Sequence, residues 1–156
     1  MTNYTFDANS SEKKLQNLNA FYNDYLLDNL SVTKALDLCS NSWHLIDWIL
    51  KEYHQVHNFT KIEDLRNALY PSCPSLKIMH DITTSSKHLK VSSPKSKIGD
   101  TRIHKGGFDK SFGKDFDISN LQIILEDGQV LQFTDEISKV ILFWNRYFIN
   151  ELRRTE

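Results

Sequence analysis

The sequence predicts a mainly α-helical bundle with minor β structure: four to five helices, and one antiparallel β-hairpin before the C-terminal helix. Two apolar stripes predict the main helices, because over residues 32–53 and 137–152 apolar side chains recur every three or four positions. Between two short apolar runs, Asp127-Gly128 is typical of a two-residue hairpin loop. An isolated hairpin is not stable, so we expect it to lie on the bundle.

The first two helices carry recognisable N-terminal signals. Ser10 or Ser11 can cap a helix over about residues 11–28, since a hydroxyl accepts a hydrogen bond from the free amides of the first turn. Ser31 is expected to cap the second helix in the same way. The apolar stripe of the second helix is Val32, Leu36, Cys39, Trp43, Ile46, Leu50 and Tyr53.

Two shorter helices are expected next. The first covers about residues 61–69 and is ended by Pro71, because a proline disfavours helix in the residue before it. Pro74 suits the first turn of the next helix, whose stripe runs from Leu76 to Leu89.

Helical periodicity then disappears over residues 91–116, an irregular basic segment. It is interpreted as a mobile functional loop, a disordered insert or a weakly signalled strand. The hairpin follows within residues 120–133, and its two-residue loop would place Leu125 opposite Val130 and Ile123 opposite Gln132. Thr134 is expected to cap the last helix.

Composition limits the possible classes of protein. The chain has 156 residues, 19 basic and 20 acidic, which suits one domain over residues 1–156 with a loose lead-in over residues 1–10. No apolar stretch is long enough to span a membrane. With only two cysteines and no apolar leader, we expect a cytoplasmic protein. Residues 80–115 nevertheless carry eight Lys and Arg against four Asp, either a solvated loop or a surface that meets phosphate.

The second helix carries a polar row off its apolar stripe: Ser40, His44, Asp47 and Lys51. His44 and Asp47 are three residues apart and within reach of each other, with Trp48 beside them. A carboxylate next to an imidazole can orient it for acid–base chemistry. The alternative is an exposed helix face on which the pair adds little stability.

The end of the fourth helix is rich in Thr and Ser and finishes with Lys87 and His88. Small side chains allow a ligand or a second backbone to approach closely, and the helix C-terminus favours positive charge. The segment is therefore either a closely packed helix with a basic end or one half of a site shared with His44 and Asp47.

Two motifs together resemble the HEPN-like helical proteins of bacteria: Trp-His-Leu-Ile-Asp-Trp at 43–48 and Asp-Ile-Thr-Thr-Ser-Ser-Lys-His at 81–88. The resemblance implies a small bundle, often dimeric, in toxin–antitoxin or phage-defence systems, and in many members a metal-independent RNase. Their catalytic signature is an Arg followed, after four to six residues, by a His. His88 matches the His, but Asp81, Ile82 and Thr83 stand where the Arg would fall.

From these observations His88, His44 and Asp47 are the candidate catalytic residues, and Lys87, Lys90 and Trp48 the candidate substrate-binding residues. We expect no metal and no cofactor. His54 and His57 have the spacing of a ligand pair but lack the further ligands that a metal site needs. Cys39 lies on the apolar stripe and is interpreted as a small core residue.

Three phenylalanines in the basic segment allow two interpretations. Phe108, Phe112 and Phe116 alternate with lysines, a composition typical of base-stacking surfaces, yet such residues more often pin a long loop to the core.

Three functions remain open from the sequence. The first is an RNA-associated HEPN-like protein, catalytic or degenerate. The second is a non-catalytic protein-interaction or immunity-type protein, favoured by the absent Arg and the near-neutral charge. The third is a small-ligand binder. The resemblance also leads us to expect a homodimer that pairs through helices.

Overall fold

A computed structural model describes residue 2 and residues 4–88, 90–113 and 115–153. Within these residues, six helices and three strands follow one another: α1 (Ser11–Leu27), α2 (Val32–Glu52), α3 (His54–His57), α4 (Ile62–Leu69), α5 (Ser75–Lys87), β1 (Ile98–His104), β2 (Asn120–Leu125), β3 (Val130–Gln132) and α6 (Phe133–Tyr147). A short 3₁₀ turn (Lys110–Phe112) precedes β2, and a π-helical turn (Phe148–Leu152) extends α6. The mainly helical class with a small antiparallel sheet before the last helix is confirmed.

Both serine caps are confirmed. The Ser10 hydroxyl accepts a hydrogen bond from the Lys13 amide at 3.1 Å, and the Ser31 hydroxyl accepts one from the Lys34 amide at 3.2 Å. Each cap satisfies an amide that has no partner within its own helix. The two longest N-terminal helices therefore begin where local chemistry places them.

The buried face of α2 is wider than its predicted stripe. Cys39, Trp43 and Ile46 are buried as predicted, whereas Val32 is exposed and Leu50 is half-buried. The face also includes Leu38, Leu45 and Ile49. The reason is position: α2 packs against α1, α4, α5 and α6, so its apolar surface covers more than one partner.

The C-terminal helix packs as predicted, with Trp144 fully buried and its indole N–H donating to the Ser42 carbonyl of α2 at 3.0 Å. Its predicted cap is wrong. The helix begins at Phe133, and no side chain caps it. The Thr134 hydroxyl instead pairs with the Tyr25 hydroxyl of α1 at 2.7 Å, a tertiary partner that local sequence does not indicate.

The predicted hairpin register is wrong by one residue. The structure pairs Ile124 with Val130, Ile123 with Leu131 and Gln122 with Gln132. The loop contains three residues, because the Leu125 carbonyl accepts from the Gly128 amide and the Leu125 amide donates to the Gln129 carbonyl. Of the loop residues only Gly128 has a positive φ, of 88°, as in a type I turn followed by a one-residue bulge rather than the predicted type I′ turn.

The irregular basic segment contains the strand β1, which pairs antiparallel with β2 and forms the edge of a three-stranded sheet in the order β1-β2-β3. The strand was one of the three alternatives for residues 91–116. It has no alternating pattern in the sequence because residues 99–103 are exposed. The predicted helical position Leu89 lies outside the described residues.

Candidate functional site

The His44–Asp47 pair forms on the surface of α2. The imidazole Nδ1 lies 3.2 Å from an Asp47 carboxylate oxygen, and about half of each side chain is exposed. The hydrogen bond from His44, with a contribution from the Arg66 charge, lowers the pKa of the Asp47 carboxyl below its ordinary value. The carboxylate is therefore ionised at neutral pH and beside a histidine that solvent can reach.

A second layer lies beneath this pair. The Arg66 guanidinium of α4 approaches Asp47 at 3.8 Å and lies 4.7 Å above the Trp43 ring. The Tyr70 ring stacks on the same indole with centroids 6.2 Å apart, and the His80 ring meets it edge-on at 4.9 Å. A cation above an indole is favourable, so this layer holds α4 and α5 against α2.

Arg66, Tyr70 and His80 are not among the site residues that the sequence predicts. The only local signal was Arg66 three residues after Glu63, with which it forms an ion pair at 2.6 Å. That ion pair is typical of an exposed helix surface, and it does not predict the contact between Arg66 and the Trp43 ring of α2. Burial raises the pKa of Tyr70 to about 12, so its hydroxyl keeps its proton at neutral pH.

Three exposed residues lie at the C-terminal end of α5 or just after it: Lys87, His88 and Lys90. The His80 ring contacts Trp43, and Ile82 lines one cavity with Ala35 and Leu36, so α5 runs antiparallel to α2. His88 follows His80 by eight positions, and a helix rises about 1.5 Å per residue. The chain thus carries His88 about 12 Å along α2, away from His44.

The structure consequently brings His44 and Asp47 together and leaves the other candidates apart. Among the described residues, no hydrogen bond or ion pair joins Lys87 or His88 to His44 or Asp47. Trp48 faces a different neighbour, because the Lys14 ammonium of α1 lies 5.0 Å from its ring. One shared acid–base site built from all six residues does not arise from these contacts.

Asp81 holds the basic segment on the bundle. Its buried carboxylate accepts hydrogen bonds from the Lys95 amide and the Ser96 amide, each at 2.8 Å, and from the Ser96 hydroxyl at 2.5 Å. His80 lies 2.7 Å away on the same carboxylate. Burial alone would raise the pKa of Asp81, but these hydrogen bonds outweigh it and lower the pKa. Asp81 therefore ties residues 95–96 to α5 just before β1 begins.

The His57 side chain caps the C-terminal end of α2. The Phe59 amide donates to its Nδ1 at 2.9 Å, so Nε2 carries the proton and donates to the Ile49 and Leu50 carbonyls at 3.1 Å. Both ring nitrogens are thus used within the chain. The described part of the chain contains no group of three or more His, Cys, Asp or Glu side chains placed to hold a metal.

Both cysteines are buried and unoxidised. Burial raises the pKa of the Cys39 thiol far above its ordinary range and that of Cys73 to about 11. Because the thiolate is the reactive form, neither cysteine is suited to act as a nucleophile at neutral pH.

The three phenylalanines of the basic segment form an exposed cluster. The rings of Phe108, Phe112 and Phe116 contact one another with centroids 5.2–5.5 Å apart, and each residue is 44–52 % exposed. Phe108 shares a surface cleft with Leu27 and Leu30 of the α1–α2 turn. We name these five residues the aromatic patch.

Comparison with known proteins identifies no relative: no family model, no curated protein and no solved structure matches the chain. In the described ranges no helix is both long and apolar enough to cross a membrane.

Proposed function

We propose that this chain is a non-catalytic interaction protein and that the aromatic patch binds a partner protein. The observation that carries the proposal is the exposure of the three phenylalanines, together with Leu27, which is 81 % exposed, and Leu30. Soluble monomers rarely expose several large apolar side chains side by side, and such patches mark interaction sites. Phenylalanine is also enriched in the centres of protein interfaces.

The charges around the patch favour a protein over a nucleic acid. Residues 105–117 contain three Lys and three Asp, so the segment has no net charge. Hydrogen bonds from Ser111 lower the pKa of Asp109, and the hydrogen bond from His104 lowers the pKa of Asp117. Both carboxylates are therefore ionised beside the rings and would repel phosphates. A polar rim of mixed charge around an apolar centre is common at protein interfaces.

The separation of the candidate catalytic residues supports a non-catalytic role. His44 pairs with Asp47, and Asp47 also pairs with Arg66, while His88 lies at the C-terminal end of α5. A general base must lie within hydrogen-bond reach of the group that it serves. The absence of the Arg of the HEPN-like signature also favours a non-catalytic role.

One observation favours RNA association as a second candidate. Lys87, His88 and Lys90 are all exposed at the C-terminal end of α5, where the helix dipole favours positive charge. A phosphate backbone could bind there while the aromatic patch stays free. This candidate keeps the HEPN-like expectation, and its RNA affinity would fall steeply with salt.

The proposal is tested with three baits of the purified chain. The first is wild type, the second is Phe112→Asp with Phe116→Asp, and the third is Phe21→Asp, a matched control because Phe21 on α1 is 45 % exposed. Proteins recovered from a lysate of the source organism are identified by mass spectrometry. We expect a partner recovered by wild type and by the control but lost with the patch variant.

That partner is then purified, and its affinity for the three chains is measured by calorimetry. At least a tenfold loss is expected for the patch variant alone. Equal recovery and equal affinity for all three chains would contradict the proposal. In parallel, binding and cleavage of a labelled single-stranded RNA are measured at low salt. RNA binding that requires Lys87 and Lys90 but not Phe112 would favour the second candidate.

A further inference from the structure

The strand β1 has an open edge. The sheet order is β1-β2-β3, so only one side of β1 is paired within the described chain. The hydrogen bonds of β2 show which backbone N–H and C=O groups of β1 point toward β2 and which point toward the open edge. The Leu125 amide donates to Gln129 on the β3 side, and the Glu126 amide donates to the Lys97 carbonyl on the β1 side.

Along an antiparallel strand, the backbone N–H and C=O groups of successive residues point alternately toward the paired strand (inward) and away from it (outward). Ile124 and Gln122 of β2 therefore turn their backbone groups toward Asp100 and Arg102, their partners in β1. The intervening residues Thr101 and Ile103 turn theirs outward. The Thr101 amide donates to the neighbouring Asp100 carboxylate at 2.9 Å, a hydrogen bond that pairing with a second strand would replace.

The exposed side chains of β1 are self-complementary in one register only. An antiparallel second copy of β1 with the two-fold axis at Thr101 places Asp100 opposite the partner's Arg102, and Arg102 opposite the partner's Asp100. An axis one residue away in either direction would place Asp100 against Asp100 or Arg102 against Arg102. Opposite charges across a strand pair stabilise it, and like charges destabilise it.

Backbone geometry is compatible with this register. With the axis at Thr101, the outward groups of Thr101 meet those of the partner's Thr101, as a hydrogen-bonded antiparallel pair requires. The register of β1 shifts between Ile98 and Asp100, so the regular alternation begins at Asp100, and the pairing about the axis covers Asp100, Thr101 and Arg102. Asp100 and Arg102 lie two residues apart and therefore on one face, where the Arg102 guanidinium already donates to Gln122 at 2.8 Å.

The bundle-facing side of β1 also leaves apolar surface uncovered. Ile103 and Val32 of α2 line one cavity and are each about half exposed. A second strand beside β1 would shield them. We propose that two copies of this chain associate through antiparallel pairing of their β1 strands about a two-fold axis at Thr101, forming one continuous six-stranded sheet. This interface does not use the aromatic patch, and it differs from the helical pairing that the resemblance implies.

Charge reversal tests the register. Sedimentation equilibrium is measured for wild type, Asp100→Arg, Arg102→Asp and the double variant that carries both changes. We expect a dimer for wild type, at least tenfold weaker association for each single variant, and recovery in the double variant, in which the opposite charges are exchanged. Lys51→Glu, on the exposed surface of α2, is the control and should dimerise as wild type does. Circular dichroism confirms that each variant is folded.

A cysteine at the axis tests the geometry independently. Paired residues of antiparallel strands have Cα atoms about 4.5–5.5 Å apart, within the range that a disulfide spans. Thr101→Cys should therefore form a covalent dimer under mild oxidation, while Lys51→Cys, which lies away from the axis, should not. The native Cys39 and Cys73 do not interfere, because both are buried. A wild-type chain that stays monomeric at several hundred micromolar would overturn the proposal. So would a dimer that neither the β1 charges nor the Thr101 cysteine affects.

Discussion

The helical core around Trp144 and the outer segment, residues 98–116, use large apolar side chains in opposite ways. Trp144 is fully buried, and its indole N–H is paired with the Ser42 carbonyl. Phe112 contacts mainly other exposed rings, and about half of it faces solvent. A buried aromatic residue contributes to the free energy of folding, whereas an exposed cluster keeps its apolar area available for association. Residue type alone therefore does not separate core from surface here.

The largest expected effect is in the core. Trp144→Ala should lower the free energy of unfolding by about 3–5 kcal/mol, because it opens a cavity and leaves the Ser42 carbonyl without its donor. Urea denaturation monitored by circular dichroism measures this change. Leu142→Ala, at an exposed position of the same helix, is the control and should change stability by less than about 0.5 kcal/mol. Equal effects of the two substitutions would show that the buried face of α6 is wrongly assigned.

The junction between the two regions should show an intermediate effect. Asp81→Asn removes the charge that accepts from Lys95 and Ser96, and we expect a loss of about 2–3 kcal/mol, because these hydrogen bonds lose a charged acceptor. Amide hydrogen exchange should also become faster over residues 95–104.

The pH dependence of the same variant follows from the lowered pKa of Asp81. A carboxyl whose pKa is lower in the folded state stabilises the fold above its unfolded pKa, of about 3.9. That stabilisation is lost as pH falls through the folded pKa. The stability difference between wild type and Asp81→Asn should therefore be full at pH 6 and shrink below about pH 4. A difference that stays constant down to pH 2 would contradict this assignment.

The smallest expected effect is local to the outer segment. A Cβ added at Gly106 would clash with the Asp117 carbonyl oxygen, whereas one added at Gly107 meets nothing within 4 Å. We expect Gly106→Ala to cost on the order of 1–2 kcal/mol and to displace the aromatic patch, since backbone must move. Gly107→Ala should cost less than about 0.5 kcal/mol. Thermal denaturation measures the stability of the two variants. Solvent quenching of a fluorophore attached to a cysteine at position 112 (Phe112→Cys) reports the displacement. Equal results for the two variants would exclude the close approach of Gly106 to the Asp117 backbone.

The helices are predictable from the sequence because their signals are local. The Ser10 and Ser31 caps act on amides three residues away, and the buried stripe of α6 follows from helical spacing alone. The candidate site was predictable only to the extent that it was local. His44 and Asp47 lie three residues apart and do pair, but the Arg66 and Trp43 contact joins two helices and had no counterpart in the sequence pattern.

By itself, the sequence determined the helical class, the two serine caps and the position of the hairpin. These depend on residues within about one turn of each other, where backbone geometry limits the outcomes. Only the tertiary structure decided the hairpin register, the pairing of β1 and the distance between His44 and His88. A strand exposed like β1 needs its partner to form, and the direction in which α5 crosses α2 places His88 far from His44. Contacts between distant segments depend on how the elements pack, which the spacing of residues within one element does not record.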